Sequence, residues 1–347
     1  MTIYPSHFDS EDQLEEFMTI PSQEVLETLS LLTGDIAILG IAGKIGVTLG
    51  MMIQKSLATL GSTRKIYGIS RFSDSEARKK LDRAGIVTLP CDLLNANDVA
   101  NLPDAEHVIF MAGRKFGTAG NEEITWAINT IAPYNAAERY KTSNLVVYST
   151  GCVYHLLSPE TGGATEDSSP DPIGDYAQSA LGRERIFQYF SKIYGTRVVI
   201  LRLNYSIDLR YGVLRDLADK IMSEIIIENP DGAFNCIWQG DVLNQTIISF
   251  RQTASPASII NITGPETVSI RWAAEELGKR LGKRPIFRSD SAVPNRTYLS
   301  NASKAAEIFG YPKISLLAMI DMTADWVLHG GKSLGKPTHF ETTDGRF

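Results

Sequence analysis

Apolar and polar positions along the chain predict short buried strands separated by helices. The first apolar run, Ile36 to Leu39, predicts a buried strand. From Lys44 onward, apolar residues recur at helical spacing, at positions 45, 49, 52, 53, 57 and 60. Further runs predict strands at 65–71, 86–89, 107–111, 144–148 and 197–203, with helices between them. This alternation favours an α/β fold with a parallel sheet covered on both faces.

Three glycines at a three-residue interval, Gly40, Gly43 and Gly46, lie where the first strand turns into a helix. This geometry points the free N–H groups of the helix N-terminus at the turn, which suits a pyrophosphate. A Cβ there would hold the phosphates away or collide with the neighbouring strand. The pattern therefore favours dinucleotide binding over a turn without a ligand. Lys44 and Ile45 lie in the same turn, and we expect them at the cofactor too.

Composition narrows the class of protein. The chain has 347 residues, 43% hydrophobic and 21% charged, which is typical of a globular protein with ample core. A net charge of -6 without a long basic run argues against nucleic acid as a partner. Residues 36–53 are apolar enough to raise the question of a membrane span. They contain Lys44 and four glycines, so we expect no membrane partner.

The cysteines and histidines show no metal-binding or disulfide pattern. Cys91, Cys152 and Cys236 are far apart and odd in number, and the five histidines lack metal-ligand spacing. We therefore predict no metal site and a reducing, cytoplasmic location. Residues 1–33 begin acidic, and Ser22 is a plausible N-cap for a helix that follows. We interpret this segment as an N-terminal helical extension.

The second predicted strand ends in Ser70 and Arg71. In this architecture that position lies near the adenosine ribose, where an acidic side chain would accept from the 2′-hydroxyl and repel a 2′-phosphate. A guanidinium instead matches a phosphate in charge and in forked geometry. We predict NADP as the cofactor, with NAD as the alternative. The alternative for Arg71 is that it stacks on adenine or faces solvent without recognising a phosphate.

The glycine spacing G-x-x-G-x-x-G resembles the short-chain dehydrogenase/reductase superfamily, specifically its extended branch of sugar-nucleotide epimerases and dehydratases. Similar motifs follow in the family's order over about residues 34–330. The resemblance implies a Rossmann-type doubly wound parallel sheet at 34–204 and a smaller C-terminal α/β part at 205–347. This second part mainly binds substrate, and some of its strands and helices return to the Rossmann domain. It also implies that ligands lie at the carboxyl ends of the strands.

Segments after the third and fourth strands carry the cofactor part of the resemblance. Asp92-Leu93 resembles the family's pair that contacts adenine, although a turn cap is nearly as good an explanation for Asp92. The resemblance places Ala112-Gly113 beside the nicotinamide ribose. Arg114-Lys115 is unusual there and could reach phosphate or substrate. Asn129 resembles the asparagine that lies in the helix behind the active site, the alternative being a solvated helix residue.

Two further motifs carry the catalytic part. The segment 149–154, Ser-Thr-Gly-Cys-Val-Tyr, resembles the family's S-[ST]-x-x-V-Y and puts Thr150 at the catalytic Ser/Thr position. Tyr176 matches the tyrosine of Y-x-x-x-K, the family's general acid or base. The lysine position of that motif holds Ala180. The resemblance implies that Thr150 holds the reacting oxygen and that Tyr176 transfers its proton.

The missing lysine matters because tyrosine has a pKa of about 10, so an unassisted phenolate is scarce at neutral pH. Three explanations stay open. Another cation, such as Lys115 or Arg114, replaces the ammonium; Tyr176 acts as a neutral acid; or the chain binds cofactor without turnover. Arg183 lies on the same helix face, roughly 10 Å along the axis from Tyr176, so its direct help depends on its long side chain.

The predicted function is an NAD(P)-dependent oxidoreductase of the epimerase/dehydratase type that acts on a sugar or a sugar-derived carbonyl or alcohol. The alternatives are an NADPH-dependent carbonyl or enoyl reductase and a non-catalytic dinucleotide sensor. We also expect a homodimer. Two of the substrate-side candidates named next, Asn204 and Arg210, are explained equally well by a structural bond to the loops. The candidates on the substrate side are Lys115, Gly151, Cys152, Asn204, Arg210 and Arg296.

Overall fold

A computed structural model describes residues 4–115, 117, 120–288, 296–336, 338–342 and 344–345. Strands and helices alternate through the first part of the chain, as the apolar pattern predicts. The strands are β1 (Ile36–Leu39), β2 (Ile66–Ser70), β3 (Val87–Pro90), β4 (His107–Phe110), β5 (Asn144–Thr150), β6 (Arg197–Leu203), β7 (Ser206–Ile207), β8 (Ala233–Phe234), β9 (Ile237–Trp238), β10 (Ser258–Ile262) and β11 (Val268–Ser269).

Six of the thirteen helices in the described residues begin at a residue whose side chain caps them, such as Ser22, Asp74 and Ser269. The helices are α1 (Glu11–Met18), α2 (Gln23–Leu31), α3 (Gly46–Thr59), α4 (Ser75–Arg83), α5 (Ala96–Ala100), α6 (Glu122–Trp126), α7 (Ala132–Arg139), α8 (Gly174–Tyr194), α9 (Val213–Met222), α10 (Gln239–Ile248), α11 (Ile270–Leu281), α12 (Ser303–Phe309) and α13 (Leu316–Leu328).

Seven strands form one parallel sheet in the order β10-β6-β5-β4-β1-β2-β3. The chain starts in the middle at β1, builds outward to β3, and then returns to β4 on the other side of β1. The strand order therefore reverses between β1 and β4, which is where ligands bind in open α/β sheets. This topology confirms the predicted Rossmann-type doubly wound sheet. No helix in the described ranges is long and apolar enough to span a membrane.

Three hydrophobic cores hold the molecule together. One lies between a face of the sheet and helices α2, α3 and α10. A second covers the opposite face with α5, α7 and α8. The third lies away from the sheet, where α9, α11 and α13 pack together. Because both faces of the sheet are covered, strands such as β1 are apolar at every position.

The N-terminal segment divides between two of these cores. Ser22 caps α2 by accepting a hydrogen bond from the Val25 amide, as predicted, and α2 packs on the sheet. Helix α1, which precedes it, instead buries Leu14 and Met18 in the core of the C-terminal helices. The apolar spacing of residues 1–33 gave no indication of this second attachment.

A π-helical turn, Ala127–Ile131, separates α6 from α7. Such turns are rare and concentrate at functional sites. Here the turn directs the Asn129 side chain inward, where it is fully buried. This burial excludes the solvated helix position that was the alternative explanation for Asn129.

Candidate active site

A cavity of about 450 Å³ lies at the carboxyl ends of β1 to β4, at the reversal of strand order. We call it the glycine-loop cavity. It joins residues from four separate turns of the chain. The predicted cofactor residues that line it are Gly40, Gly43, Ser70, Arg71, Asp92, Leu93, Ala112, Gly113 and Arg114.

The three glycines are required for different reasons. Gly40 has a φ of 92°, and a Cβ there would lie 2.6 Å from the Ala112 nitrogen, so this position needs glycine for both conformation and space. A Cβ on Gly46 would collide with the carbonyl oxygen of Ile41. Gly43 is exposed, and a Cβ there would make one tight contact, 3.3 Å from the Gly40 carbonyl oxygen. The absence of a side chain at Gly43 leaves space in the cavity for a ligand, which fits a pyrophosphate at the N-terminus of α3.

At the other end of this cavity, β2 ends in Ser70 and Arg71. Arg71 is exposed, so its guanidinium has room to contact a ligand. Asp92 lines the same cavity and accepts a hydrogen bond from the Leu94 amide at 3.1 Å, so it also serves as the turn cap considered above. Among the described residues that line this cavity, the one carboxylate is that of Asp92, in the turn after β3, and none lies at the end of β2.

A second cavity of about 190 Å³ lies next to the first, and the turns after β1 and β4 contribute to both. Gly43 and Arg114 line the first cavity, and the residues that follow them, Lys44 and Lys115, line the second. We call it the lysine–tyrosine cavity. Lys44 and Ile45 line this second cavity, because the turn after Gly43 directs them toward the C-terminal part. The sequence had led us to expect both residues at the cofactor. The polar lining residues of the lysine–tyrosine cavity include Lys44, Lys115, Thr150, Tyr176, Ser206 and Tyr211.

Thr150 and Tyr176 meet in this second cavity. Thr150 is the last residue of β5, and its hydroxyl accepts a hydrogen bond from the Cys152 amide at 3.1 Å. Tyr176 lies in the first turn of α8 and is hydrogen-bonded to the Thr150 hydroxyl. Burial, with the nearby Cys152, raises the pKa of Tyr176 to about 12, against the lowering effect of Arg183 and Thr150. Tyr176 is therefore neutral at physiological pH before any ligand binds.

Arg183 supplies a cation close to Tyr176. Its guanidinium reaches back along α8, donating to the Tyr148 carbonyl at 2.9 Å and to Asn129 Oδ1 at 2.7 Å. Electrostatically it favours the phenolate form of Tyr176. A Cβ on Gly113 would lie 2.6 Å from Arg183 Nη2, so the guanidinium lies directly behind the turn that the family resemblance places at the nicotinamide ribose.

The charge of Arg183 is not neutralised by an ion pair. Among the described residues no carboxylate lies within 4.0 Å of its nitrogens; carbonyl oxygens solvate it instead. Burial lowers the pKa of Arg183, yet a guanidinium stays protonated at physiological pH. The field of this cation therefore remains available to a phenolate or another nearby anion. Arg114, offered above as a substitute, instead donates to the Gly117 carbonyl at 2.7 Å.

Asn129 holds the β4 turn in place and lines neither cavity. Its Oδ1 accepts from the Arg114 amide at 3.0 Å, and its Nδ2 donates to the Arg114 carbonyl at 3.1 Å and to Ser179 Oγ at 2.9 Å. Asn129 therefore supports, from inside the protein, the turn that lines the glycine-loop cavity. Together, Asn129 and Arg183 join β4, the π-helical turn and α8.

Several predicted substrate residues lie outside the lysine–tyrosine cavity. Asn204 is buried and donates to Asn235 Oδ1 at 2.7 Å, which is the structural bond considered as its alternative. Arg210 is bound by carboxylates of Asp208, Glu11 and Glu15. Gly151 and Cys152 follow Thr150 in a buried 3₁₀ turn, and Arg296 is exposed and lines neither cavity.

The sequence missed residues that only the fold brings to the lysine–tyrosine cavity. They come from β7 and the turns that flank it, and from α10. Tyr205 has a φ of 42°, which is unusual for a bulky residue and typical of strained functional sites. No local pattern distinguishes these positions in the sequence. The missed residues are Tyr205, Ser206, Tyr211 and Gln239.

Solved structures with this fold include several sugar-nucleotide epimerases. UDP-glucuronic acid 4-epimerase from Bacillus cereus is 21% identical, with a TM-score of 0.72, over 85% of this chain and 99% of that one. UDP-glucose 4-epimerase from Thermotoga maritima is 17% identical, with a TM-score of 0.70 and the same coverage. The Thermus thermophilus UDP-glucose 4-epimerase is 19% identical, with a TM-score of 0.68, over 84% and 98%. At this identity the likeness shows the fold.

The sequence itself identifies the family. Residues 36–207 match the model of the NAD dependent epimerase/dehydratase family. The chain belongs to this family and is an enzyme of the NAD(P)-dependent epimerase/dehydratase class. No curated protein sequence gives a match. The matched region runs from β1 to β7 and includes both Thr150 and Tyr176.

We predict that Arg183→Leu moves the rising limb of the pH–rate profile to higher pH by about one unit, because removing the cation raises the pKa of Tyr176. Turnover near neutral pH falls accordingly, and Arg183→Lys restores part of it. Arg185→Leu, on an exposed face of the same helix, is the matched control. An unshifted profile in a folded Arg183→Leu protein would contradict the role of this cation.

Proposed function

We propose that this enzyme transfers hydride between a nicotinamide dinucleotide and a sugar or sugar-derived alcohol or carbonyl. The observation that carries the proposal is the hydrogen-bonded pair of Thr150 and Tyr176 hydroxyls, at the carboxyl edge of the sheet beside the glycine-loop cavity. The family and the sugar-nucleotide epimerases that share the fold support a carbohydrate-derived substrate.

The glycine-loop cavity fits the cofactor. The exposed Gly43 and the N-terminus of α3 would hold its pyrophosphate, and Gly113 leaves room for its ribose next to Arg183. When bound there, the nicotinamide ring supplies the acceptor or donor of hydride. The chain's own task is to hold the reacting carbon against that ring and to manage the proton on the adjacent oxygen.

Thr150 and Tyr176 would manage that proton. The Thr150 hydroxyl would hold the substrate oxygen, and the Tyr176 oxygen would take its proton during oxidation or return one during reduction. Oxidation needs the phenolate form of Tyr176 to accept the proton, and reduction leaves that form behind when the proton is donated. In both directions Arg183 would stabilise the phenolate from behind. In this proposal Arg183 performs from a later turn of α8 the electrostatic task that lysine performs at the position of Ala180 in the family.

The raised pKa of Tyr176 gives a second candidate some support. A tyrosine with a pKa of about 12 rests in the neutral form, which is ready to donate a proton to a carbonyl. An NADPH-dependent carbonyl reductase would use that form directly. Measuring both directions of the reaction separates this candidate from an epimerase, which returns its cofactor to the starting redox state in each cycle.

We predict that Tyr176→Phe lowers kcat by roughly 100- to 10,000-fold while cofactor affinity stays within about twofold, because the variant loses only the proton-transferring oxygen. Nicotinamide absorbance and product stereochemistry would be followed with sugars, sugar acids and nucleotide sugars as substrates. Tyr189→Phe, exposed on the same helix, is the matched control. If turnover survived in Tyr176→Phe, the proposed proton transfer would be wrong.

We propose NADP as the preferred cofactor. Support comes from the end of β2. Arg71 is exposed there at the rim of the glycine-loop cavity, and no described lining residue at the end of β2 is acidic and able to repel a 2′-phosphate. Ser70 and Ser73 add hydroxyl donors at the same place. The solved structures of similar fold that carry a cofactor are complexes with NAD, so the preference for NADP has to be tested on this chain itself.

Arg71→Ala is expected to weaken NADPH binding by roughly 10- to 100-fold and to leave NADH binding nearly unchanged, because a charge-assisted hydrogen bond contributes about that much. Titration of nicotinamide fluorescence measures both affinities. Arg78→Ala, an exposed arginine on α4 beside Asp82, controls for loss of surface charge. A wild-type preference for NADH, or equal loss with both cofactors, would sink this assignment.

We propose a homodimer formed through α7 and α8. These helices expose an apolar face on which Tyr134, Tyr189 and Ile193 are each about half accessible. The rings of Tyr134 and Tyr189 both contact Phe190, so the face is continuous across the two helices. An apolar patch of this kind is self-complementary, which suits a second copy related by a twofold axis.

The double variant Tyr189→Glu with Ile193→Glu is therefore expected to be a monomer, since it would place four carboxylates in the interface. Light scattering during gel filtration would compare its mass with that of the wild type. Tyr311→Glu, at an exposed tyrosine on the C-terminal part, serves as the control. A monomeric wild type, or an unchanged mass in the folded double variant, would disprove the assembly.

A further inference from the structure

The lysine–tyrosine cavity has an uneven charge distribution. Among its described lining residues two are lysines, Lys44 and Lys115, and none is acidic. The two lysines come from the β1 and β4 turns, on either side of the point where the strand order reverses. A cavity lined this way, next to Thr150 and Tyr176, presents positive charge to the part of a substrate that reacts.

Contacts fix where both ammonium groups lie. Lys44 Nζ lies 3.3 Å from the centroid of the Tyr211 ring, a cation–π contact that orients the side chain away from the glycine-loop cavity. Lys115 Nζ donates to the Thr338 carbonyl at 3.3 Å and lies 6.0 Å from the centroid of the Tyr176 ring. A group bound at Tyr176 is therefore within reach of Lys115.

An unsatisfied polar group faces the same cavity. The Ser206 side chain is about nine-tenths buried, and its Oγ has no hydrogen-bond partner among the described residues. Buried hydroxyls are normally hydrogen-bonded, so an unpartnered one in a cavity indicates a bond that a ligand completes. Ser206 therefore gives independent evidence for a polar ligand at this position.

Two carboxylates that act electrostatically on Lys44, those of Asp216 and Asp208, also bind other groups. Asp216 accepts hydrogen bonds from the Thr338 amide at 2.7 Å and hydroxyl at 2.6 Å, which holds the C-terminal segment over the cavity. Asp208 is bidentate to Arg210. These acids lie outside the lining of the lysine–tyrosine cavity. An anion brought by a ligand into this cavity would lie close to both lysines and partly away from water, where electrostatic attraction is strong.

We propose that this cavity binds a carbohydrate that carries its own anionic group, a carboxylate or a phosphate, and that Lys44 and Lys115 recognise that group beside the reacting carbon. Ser206 would donate to the same substrate. This inference rests on the proposed function, because it assigns the substrate class of the site that contains Thr150 and Tyr176. It makes a sugar acid or a sugar phosphate, and not a neutral sugar, the substrate.

Binding to the NADP⁺-loaded enzyme tests the proposal without requiring turnover. Isothermal titration with D-glucuronate, D-gluconate, D-glucose 6-phosphate and D-glucose compares charged and neutral ligands. We expect at least one of the anions to bind at least tenfold more tightly than glucose. The two carboxylates and the phosphate also show which anion the lysines prefer.

Variants then assign the recognition to the lysines. Lys44→Met and Lys115→Met should each weaken binding of the preferred anion by about tenfold or more and leave glucose binding unchanged, whereas Lys44→Arg retains most of the affinity. Lys192→Met, exposed on α8, is the control. Equal affinity for charged and neutral sugars, absence of anion binding, or indifference to both lysine variants would overturn the proposal. The Tyr176→Phe result on turnover is a separate outcome and would stand.

The pH dependence of binding gives a second readout for Lys44. Burial, with repulsion from Lys336 and Lys115, lowers the pKa of Lys44 to about 7, while Asp216 and Asp208 oppose that shift. Tyr211 packs on the same ammonium group. Lys44 is charged below this pKa, so affinity for a carboxylate should fall as pH rises from 6 to 8.5. Lys44→Arg should abolish that dependence; an unchanged slope would remove Lys44 from the site.

Discussion

A buried ion pair between Glu184 and Arg202 fixes the geometry on which the active site depends. Arg202 donates through Nε at 2.9 Å and Nη2 at 2.7 Å to the two carboxylate oxygens, and Ser149 Oγ donates to the same carboxylate at 2.6 Å. Both charges are inaccessible, so losing one partner would cost about 3–5 kcal/mol. The pair attaches α8 to β5 and β6, and this attachment brings Tyr176 to Thr150.

Adjacent residues on α8 therefore perform different tasks. Glu184 faces β6 and is neutralised by Arg202, whereas Arg183 faces the β4 turn, where carbonyl oxygens solvate its charge. One charge holds the helix, and the other keeps an electrostatic field at Tyr176. Ala180 consequently removes a side chain from the family's motif without removing positive charge from its surroundings. The position of a charge in space matters here more than its position in the motif.

Much of the fold could be predicted from local sequence. The apolar runs gave β1 and β6 at their observed bounds, and the glycine interval gave the turn between β1 and α3. Side-chain directions were less predictable. Lys44 was expected at the cofactor but lies in the lysine–tyrosine cavity, and Asn129 supports the β4 turn from within the core. A turn or a helix face fixes the backbone position of a residue, whereas the residues packed around it decide which way a long side chain points.

The resemblance to the family's motifs identified Thr150, the last residue of β5, and Tyr176, in the first turn of α8. The sequence by itself determined the alternation of strands and helices and the glycine turn. Each of these depends on periodicity, conformation or spacing within a short stretch of chain. Only the tertiary structure decided that Arg183 faces Tyr176 and that Lys44 and Lys115 converge. Electrostatic environment and burial sum over residues distant in the chain, so no local pattern contains them.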